Sequence, residues 1–297
     1  MSIATEDRGV PPVNRYKNAP RKSDFTIEQD WTSYSAAEHD RWDRLFARSQ
    51  AILRDRACDE FLAALHALEL SKGGIPDMTK LSDRLQRITG WRVVPVTDLV
   101  PDDIFFDHLA NRRFPAGAFI RPEQQLDYLE EPDVFHDVFG HVPLLANKTY
   151  ADFMQAYGNG GRRAMKLGRL ANLARLYWYT VEFGLIRSQA GLRLFGAGIM
   201  SSAAESVFAL DSPSPHRVAF ELERVMRTKY VIDDFQQTYF VIDSFEGLLA
   251  ACYQDFGPLY ERLATASDIA ADELAPGDKV ITQGTLEYFK SKRSPSS

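Results

Sequence analysis

Residues 132–143 read Pro-Asp-Val-Phe-His-Asp-Val-Phe-Gly-His-Val-Pro and place two histidines five positions apart. On a continuous α-helix, His136 and His141 would lie about 140° apart around the axis, too far round to share one ion easily. Gly140 favours a helix end, because glycine is frequent just past the last helical residue and proline often follows. We therefore expect His136 on the last turn of a short helix and His141 beyond it, where the chain can fold back. From the spacing alone, metal binding and a role in capping or packing both remain open.

Residues 170–186 predict a buried helix with one carboxylate in its middle. They read Leu-Ala-Asn-Leu-Ala-Arg-Leu-Tyr-Trp-Tyr-Thr-Val-Glu-Phe-Gly-Leu-Ile, and from Leu176 onward this helix would be apolar almost all round. Glu182 has no basic residue three or four positions away, and a buried carboxylate has to be paired, protonated or bound to metal. An ion pair with a distant arginine is the alternative for Glu182 alone. Together with the two histidines, it favours the ligand set of non-haem Fe(II) oxygenases.

The remaining patterns predict a mainly α-helical fold with a few short β-strands. Ser35 and Glu38 fit a capping box ahead of an amphipathic helix. Two more helices are expected, and they cover about 57–70 and about 81–90. Extended segments are expected at 91–96, with Pro95 marking a sheet edge, near 118–120 and near 192–195. We expect a flexible N-terminal arm over 1–34, one domain over 35–260 and a loosely ordered tail over 261–297.

Bulk composition excludes several classes of function. The 297 residues are 45% hydrophobic and 26% charged, as in ordinary globular proteins. With 35 Lys and Arg against 41 Asp and Glu, the net charge of −6 gives no electrostatic footprint for nucleic acid or an anionic membrane. Two cysteines are too few for a disulfide framework or a Cys-rich zinc site. Neither a signal peptide nor a membrane-spanning run is apparent, so a cytoplasmic location is expected.

Four strings resemble the pterin-dependent aromatic amino acid hydroxylases, in that family's order and spacing. They are Glu-Pro-Asp-Val-Phe-His at 131–136, Gly-His-Val-Pro-Leu at 140–144, Tyr-Trp-Tyr-Thr-Val-Glu-Phe-Gly-Leu at 177–185 and Gly-Ala-Gly-Ile-Met-Ser-Ser at 196–202. The likeness runs from about Asp77 to about Phe256. It implies that residues 35–260 form an iron- and pterin-dependent hydroxylase domain.

The resemblance also implies a role for each matching residue. The iron ligands would be His136, His141 and Glu182. The cofactor, tetrahydrobiopterin or a related reduced pterin, would contact Leu99, Val100, Phe105, Asp137 and Tyr177. The substrate side would consist of Arg121, Pro132, Trp178, Phe183, Gly198, Ser201, Ser202 and Glu205. Within that set, Arg121 would hold the amino acid's carboxylate, for which a guanidinium fork is well suited.

The implied activity is a monooxygenase reaction that converts L-phenylalanine to L-tyrosine with O2 and a tetrahydropterin at a non-haem Fe(II) centre. Trp178 narrows the pocket where tryptophan-specific relatives carry a smaller ring, and Ile232 is apolar where tyrosine-specific relatives bear an acid. Both favour phenylalanine, and tryptophan or tyrosine as main substrate is the alternative within the family. A zinc hydrolase with His and Glu ligands and a non-catalytic binding protein are the alternatives outside it. We expect a monomer, since the C-terminal residues lack an apolar heptad repeat.

Overall fold

The computed structural model describes residues 14–71, 73–127 and 131–293. The α-helices are α1 Ala36–Leu53, α2 Asp59–Ala67, α3 Met78–Thr89, α4 Asp102–Ala110, α5 Lys148–Lys166, α6 Leu170–Tyr177, α7 Ala197–Met200, α8 Ala203–Asp211, α9 Leu222–Arg227, α10 Phe245–Cys252, α11 Gly257–Thr265 and α12 Glu287–Arg293. The strands are β1 Arg92–Val96, β2 Arg113–Gly117, β3 Leu185–Ser188, β4 Gly191–Leu194, β5 His216–Ala219, β6 Thr238–Ile242 and β7 Val280–Thr282. Two π-helices, Phe135–His141 and Trp178–Glu182, and three short 3-10 turns complete the elements. The predicted mainly helical fold with short strands is confirmed.

Helix α1 begins at the predicted capping box. The Ser35 hydroxyl accepts from the Glu38 N–H at 3.3 Å, and the Glu38 carboxylate accepts from the Ser35 N–H at 2.8 Å. Together these bonds satisfy two of the N–H groups that a helix start leaves free. The second predicted helix is α2, which is shorter at both ends than expected.

Aromatic rings from α1 and α2 fix the first π-helix in the core. Phe135 stacks on Phe139 with ring centroids 4.7 Å apart, and Trp42 of α1 meets the edge of Phe135 at 5.3 Å. Phe46 of α1 and Phe61 of α2 lie 5.4 and 5.6 Å from Phe139. All five rings are at most 2% exposed, so this helix is held by close packing on its core side.

A small parallel sheet lies beside the first π-helix. Strands β1 and β2 pair in parallel from Arg92 opposite Arg113 to Val96 opposite Gly117, with α4 as the crossover. The strand expected at 91–96 is therefore confirmed, whereas the extended segment expected near 118–120 lies five residues earlier in the chain, at β2. Pro115 and Gly117 lower the strand propensity of β2, so β2 is recognised as a strand only from its pairing with β1.

The larger sheet has the strand order β4-β3-β6-β5-β7. Strands β3 and β5 run parallel to the central β6, while β4 and β7 are antiparallel edges. The helix predicted over 170–186 is wrong at its C-terminal end, because Leu185 and Ile186 belong to β3. An apolar run fits a central strand as well as a buried helix. The chain turns at Gly184, where a Cβ would lie 2.2 Å from the ring of Phe195.

The N-terminal residues differ from the predicted flexible arm wherever the structure describes them. Tyr16 and Ile27 are 6% and 4% exposed, and the Tyr16 hydroxyl donates to the carbonyl of Gln29 at 2.6 Å. Thr26 forms a β-bridge with Val96. Few apolar residues occur in this stretch, but those present are buried by contacts distant in sequence. The rest of the predicted arm, residues 1–13, lies outside the described residues.

The C-terminal residues also differ from the predicted loose tail. Strand β7 extends the larger sheet, and Phe289 of α12 is 7% exposed. A buried ion pair joins Arg224 of α9 to Asp278, with Nε 2.8 Å from Oδ1. Residues 261–293 thus pack on the remainder of the fold. Among the described helices, none combines the length and apolar character needed to cross a bilayer.

Candidate metal centre

Both histidines lie on one π-helix. A π-helix forms hydrogen bonds between residues five apart, so the spacing of His136 and His141 places them on the same side of this helix. The predicted helix end at Gly140 is therefore wrong. Gly140 instead permits close packing of α7, because a Cβ there would lie 2.9 Å from the carbonyl oxygen of Ala197.

Glu182, the last residue of the second π-helix, completes the cluster. The Nε2 atom of His141 lies 3.2 Å from Nε2 of His136 and 3.2 Å from Oε1 of Glu182. His136 Nε2 lies 3.7 Å from Oε2 of Glu182. One ligand atom of each residue lies within 4.8 Å of the others. Among the described residues, the ion-pair partners of Glu182 are these two histidines, so the alternative of an arginine partner does not hold.

The hydroxyl of Ser201 determines which nitrogen of His136 faces the cluster. Ser201 Oγ donates to the carbonyl oxygen of Ala197 at 2.8 Å, and it lies 2.9 Å from Nδ1 of His136. Since the serine proton is already committed to a carbonyl, Nδ1 of His136 must be the donor in the second bond. The Nε2 lone pair of His136 is then free for a metal ion, an arrangement typical of histidine ligands.

The electrostatics of the cluster suit a cation. Burial lowers the pKa of His136 to about 4, which keeps this imidazole in the neutral form that binds metal. Burial opposes the charged forms of His141 and Glu182, but their mutual attraction and hydrogen bond outweigh it, so the pKa of His141 is raised and that of Glu182 is lowered. Two imidazoles and one ionised carboxylate that face one another fit a divalent transition metal.

Gly198 of α7 leaves space beside the carboxylate. A Cβ at this position would lie 3.1 Å from Oε2 of Glu182 and 3.1 Å from the ring of Phe183. The backbone of Gly198 also hydrogen-bonds Glu182 and favours its ionised form. Any larger residue would push on a candidate ligand.

Several predicted pterin-side residues adjoin the cluster. The ring of Tyr177 lies 6.2 Å from that of His141, and Phe105 meets the edge of Tyr177 at 5.8 Å. Asp137 accepts from the N–H of Gly117 at 2.7 Å, and burial raises the pKa of Asp137 to about 7. Phe105 and Tyr177 are half-buried, so part of each residue remains accessible.

Leu99 and Val100 lie on the loop between β1 and α4. Leu99 is 75% exposed and Val100 is half-buried. Leu99 is therefore accessible to an incoming molecule. The contact of Leu99 and Val100 with a pterin remains a prediction.

Arg121 is buried and paired with the carboxylate of Asp133. It is 5% exposed, and its Nε and Nη2 donate to the two carboxylate oxygens of Asp133 at 2.9 and 2.8 Å. Asp133 also accepts from the N–H of His136 at 3.0 Å. Arg121 is therefore fixed relative to the start of the π-helix that carries both histidines.

Trp178 and Phe183 form an aromatic wall next to Glu182. Their ring centroids are 4.7 Å apart, and Tyr230 stacks on Trp178 at 4.3 Å. The indole N–H of Trp178 donates to Oε1 of Gln236 at 2.9 Å. Pro132, half-buried, lies just before the paired Asp133.

Ser202 and Glu205 lie behind this wall. The Ser202 hydroxyl caps α8 by accepting from the Glu205 N–H at 3.3 Å. The Glu205 carboxylate accepts from the hydroxyl of Tyr239 and from the N–H of Gln236. The hydrogen bonds of Glu205 therefore reach Gln236, the residue that holds the Trp178 indole.

Residues 24–258 match the family model described as "Biopterin-dependent aromatic amino acid hydroxylase". The chain belongs to this family. The resemblance drawn from the four strings is thereby confirmed, and the match extends upstream of the predicted domain start, into the N-terminal residues that pack on the fold.

Relatives of this hydroxylase family cover most of the chain. A phenylalanine-4-hydroxylase from Caulobacter vibrioides is 62% identical over 94% of this chain and 93% of its own length. The crystal structure of Chromobacterium violaceum phenylalanine hydroxylase with bound oxidised Fe(III) has a TM-score of 0.88 and 53% identity, and it covers 92% of this chain and 100% of that one. A cobalt-bound structure of that enzyme has a TM-score of 0.89 and 52% identity, with the same coverage.

Three residues that hold predicted site residues in place were not predicted from the sequence. They are Asp133, Gln236 and Tyr230. Asp133 precedes His136 by three positions, an N-cap spacing that could have drawn attention to it. Gln236 and Tyr230 carried no comparable signal, because their contacts with Trp178 join segments more than fifty residues apart.

Proposed function

We propose that the chain hydroxylates L-phenylalanine to L-tyrosine with O2 and a tetrahydropterin at a non-haem Fe(II) centre held by His136, His141 and Glu182. The observation that carries the proposal is the two-histidine, one-carboxylate cluster, in which Ser201 orients His136 for ligation. Identity of 62% to a phenylalanine-4-hydroxylase over most of both chains supports phenylalanine as the substrate.

The chain's own residues would hold the metal and exclude water from it. When bound, Fe(II) and the reduced pterin together supply the electrons and the open coordination positions that O2 activation requires. His136 and His141 would donate Nε2 lone pairs, and Glu182 would offset part of the cation's charge. The side chains of His141, Glu182 and His136 are 4%, 14% and 21% exposed, so the ligands would act in a partly enclosed site, where electrostatic interactions are stronger than in water.

The substrate would lie between Arg121 and the aromatic wall. Asp133 engages Nε and Nη2 of Arg121, which leaves Nη1 to receive the amino acid's carboxylate. Trp178 and Phe183, with Pro132 nearby, would pack against the phenyl ring. Ser202 and Glu205 would support this wall through α8 and Gln236.

The pterin would approach from the opposite side. Phe105 and Tyr177 offer aromatic faces suited to stacking with a fused heterocycle. Asp137 keeps one carboxylate oxygen free of the Gly117 bond and would accept from a pterin N–H directly or through water. Leu99 and Val100 would contact the pterin through their backbone.

We place this activity in a cytoplasmic monomer. The C-terminal residues support a monomer, since β7 and α12 pack on their own chain and do not extend away from it. Sedimentation at several protein concentrations is expected to give a single species near 33.6 kDa. The zinc hydrolase and the non-catalytic alternatives lose their support, because the chain belongs to a family of hydroxylases.

Incubation of the purified protein with Fe(II), tetrahydrobiopterin, phenylalanine and 18O2 tests the proposal. The expected product is tyrosine whose new hydroxyl carries the label. A parallel reaction with an iron chelator should yield none. Absence of labelled tyrosine in the complete reaction would refute the proposal, and faster turnover of tryptophan or tyrosine in competition would refute the substrate assignment.

A further inference from the structure

The loop between α9 and β6 contacts Trp178 of the aromatic wall at both of its ends. We call residues 230–237 the substrate-side loop; it joins α9 to β6. Tyr230, at its start, stacks on Trp178 at 4.3 Å, and Gln236, near its end, accepts the Trp178 indole N–H at 2.9 Å. The middle of the loop is open to solvent, with Ile232 73% exposed.

Helix α12 contacts the middle of the loop through one carboxylate. Oδ1 of Asp234 accepts from the hydroxyl of Tyr288 at 2.9 Å. The ammonium of Lys292 lies 3.0 Å from Oδ1 and 2.9 Å from Oδ2 of the same carboxylate. Tyr288 and Lys292 lie four positions apart on α12, so both reach Asp234 from one helical face.

Apolar contacts reinforce this attachment. Phe235 stacks on Phe208 of α8 at 4.4 Å and lies 5.3 Å from the ring of Tyr288. Phe208 in turn meets the edge of Tyr288 at 5.2 Å. Helix α12 is itself fixed to the segment between α8 and β5, since Ser214 accepts from the N–H groups of Leu286 and Tyr288.

We propose that α12 is a positioning element for the substrate pocket. Tyr288 and Lys292 fix Asp234, and the loop then presents Gln236 and Tyr230 so that Trp178 stays in the orientation that receives the substrate ring. The proposal rests on the proposed function. Both α12 residues act through the loop, so they are positioning residues and not catalytic ones.

The energetics predict an effect on the pocket that exceeds the effect on global stability. Lys292 is half exposed, with 53% of its side chain open to solvent, and such an ion pair contributes little to folding free energy. The exposed middle of the loop, around Ile232, can open locally at low cost. Loss of the weak contacts at Asp234 therefore lowers the fraction of time for which the loop holds Trp178, while the fold as a whole stays intact.

Steady-state kinetics of Lys292→Met, Tyr288→Phe and Asp234→Asn test this inference. Each variant should raise the KM for phenylalanine about two- to fivefold, the range for losing an exposed ion pair or one weak hydrogen bond. The KM for the pterin and the iron content should stay unchanged. Lys292→Arg should restore the wild-type KM, and Lys279→Met, an exposed lysine in the same C-terminal segment, is the matched control.

Because Lys292 acts through the carboxylate of Asp234, a double variant gives a sharper test of the proposal. In the double variant Asp234→Asn with Lys292→Met, the rise in phenylalanine KM should equal that of the larger single variant. Additive effects in this cycle would overturn the proposal. So would parallel rises in the KM values of phenylalanine and pterin.

Amide hydrogen exchange separates failure of this proposal from failure of the proposed function. Exchange of the peptide that covers 230–237 needs no turnover. It should become faster in Lys292→Met and Tyr288→Phe than in the wild type and in Lys279→Met. Unchanged exchange would overturn the proposal even if the enzyme makes tyrosine. If the wild type makes no tyrosine but the loop exchanges faster in the variants, the attachment stands and the proposed function fails.

Discussion

Ser201 Oγ lies 2.9 Å from Nδ1 of His136 and donates its own proton to the carbonyl of Ala197. Ser201 follows α7, and Gly140 lets α7 approach the π-helix of the two histidines. One hydroxyl therefore links the packing of a short helix to the tautomer of a metal ligand. Removal of the hydroxyl would leave Nδ1–H of His136 without its acceptor and the ring less firmly oriented.

We expect Ser201→Ala to weaken Fe(II) binding about 10- to 100-fold, the usual cost of losing a group that orients a ligand. The matched control is Ser206→Ala, which removes another buried serine hydroxyl bonded to a backbone carbonyl, that of Ile199. Anaerobic Fe(II) titration checks both variants. Equal affinities in the two variants would show that Ser201 has no orienting role.

Arg121→Lys should raise the KM for phenylalanine roughly 10- to 150-fold, since a hydrogen bond to a charged group contributes about 1.5–3 kcal/mol. Lysine keeps a charge near the buried Asp133 but lacks the guanidinium fork. The KM for the pterin should change little. Arg224→Lys is the control, because Arg224 forms a comparable buried pair with Asp278. If both substitutions change the phenylalanine KM alike, Arg121 has only a structural role.

Trp178→Phe should shift preference towards tryptophan. The substitution frees volume beside Phe183 and removes the bond to Gln236, and a pocket change of this size is worth about 1–3 kcal/mol of discrimination. The ratio of kcat/KM values in competition between phenylalanine and tryptophan measures the shift. Trp31→Phe, which also loses an indole bond, there to Ile75, should leave the ratio unchanged. An unaltered ratio in Trp178→Phe would remove this residue from the pocket.

Glu205 should make stability fall as pH rises. Burial raises the pKa of Glu205 to about 7, from 4.5 in an exposed carboxyl. The folded state thus keeps a proton that the unfolded state releases, so stability is full below pH 4.5 and is lost as pH rises through about 7. Glu205→Gln should therefore gain about 1–3 kcal/mol over the wild type between pH 5 and pH 8.

Denaturant unfolding at both pH values measures that gain. Glu261→Gln, an exposed glutamate, should follow the wild type at each pH. Parallel pH profiles for Glu205→Gln and the wild type would contradict the raised pKa of Glu205.

The sequence could predict the ligand types of the site but not the helix geometry that unites them. His136, His141 and Glu182 could be predicted as metal ligands from their chemistry, because two are histidines and the third is a carboxylate with no basic neighbour on its own helix. Their convergence depends on two π-helical segments, which hydrophobic periodicity does not signal. The expected helix end at Gly140 was wrong, because glycine is required there for close packing against Ala197, a residue distant in sequence.

Long-range contacts also explain the errors at both ends of the chain. Polar composition predicts mobile ends, yet Tyr16 and Phe289 are 6% and 7% exposed. Phe289 packs against Phe208 of α8, and Thr26 in the N-terminal residues forms a bridge with Val96, so both partners lie far away in sequence. Local composition contains no information about such partners, so boundaries at 34 and 260 could not be corrected from the sequence.

Iron content and tyrosine formation in His136→Ala test the central claim most directly. His66→Ala, which removes an exposed histidine from α2, serves as the matched control. After anaerobic loading with Fe(II) and desalting, His66→Ala should retain the wild type's iron and form tyrosine at the wild-type rate. His136→Ala should lose both. Wild-type iron content and activity in His136→Ala would contradict the account.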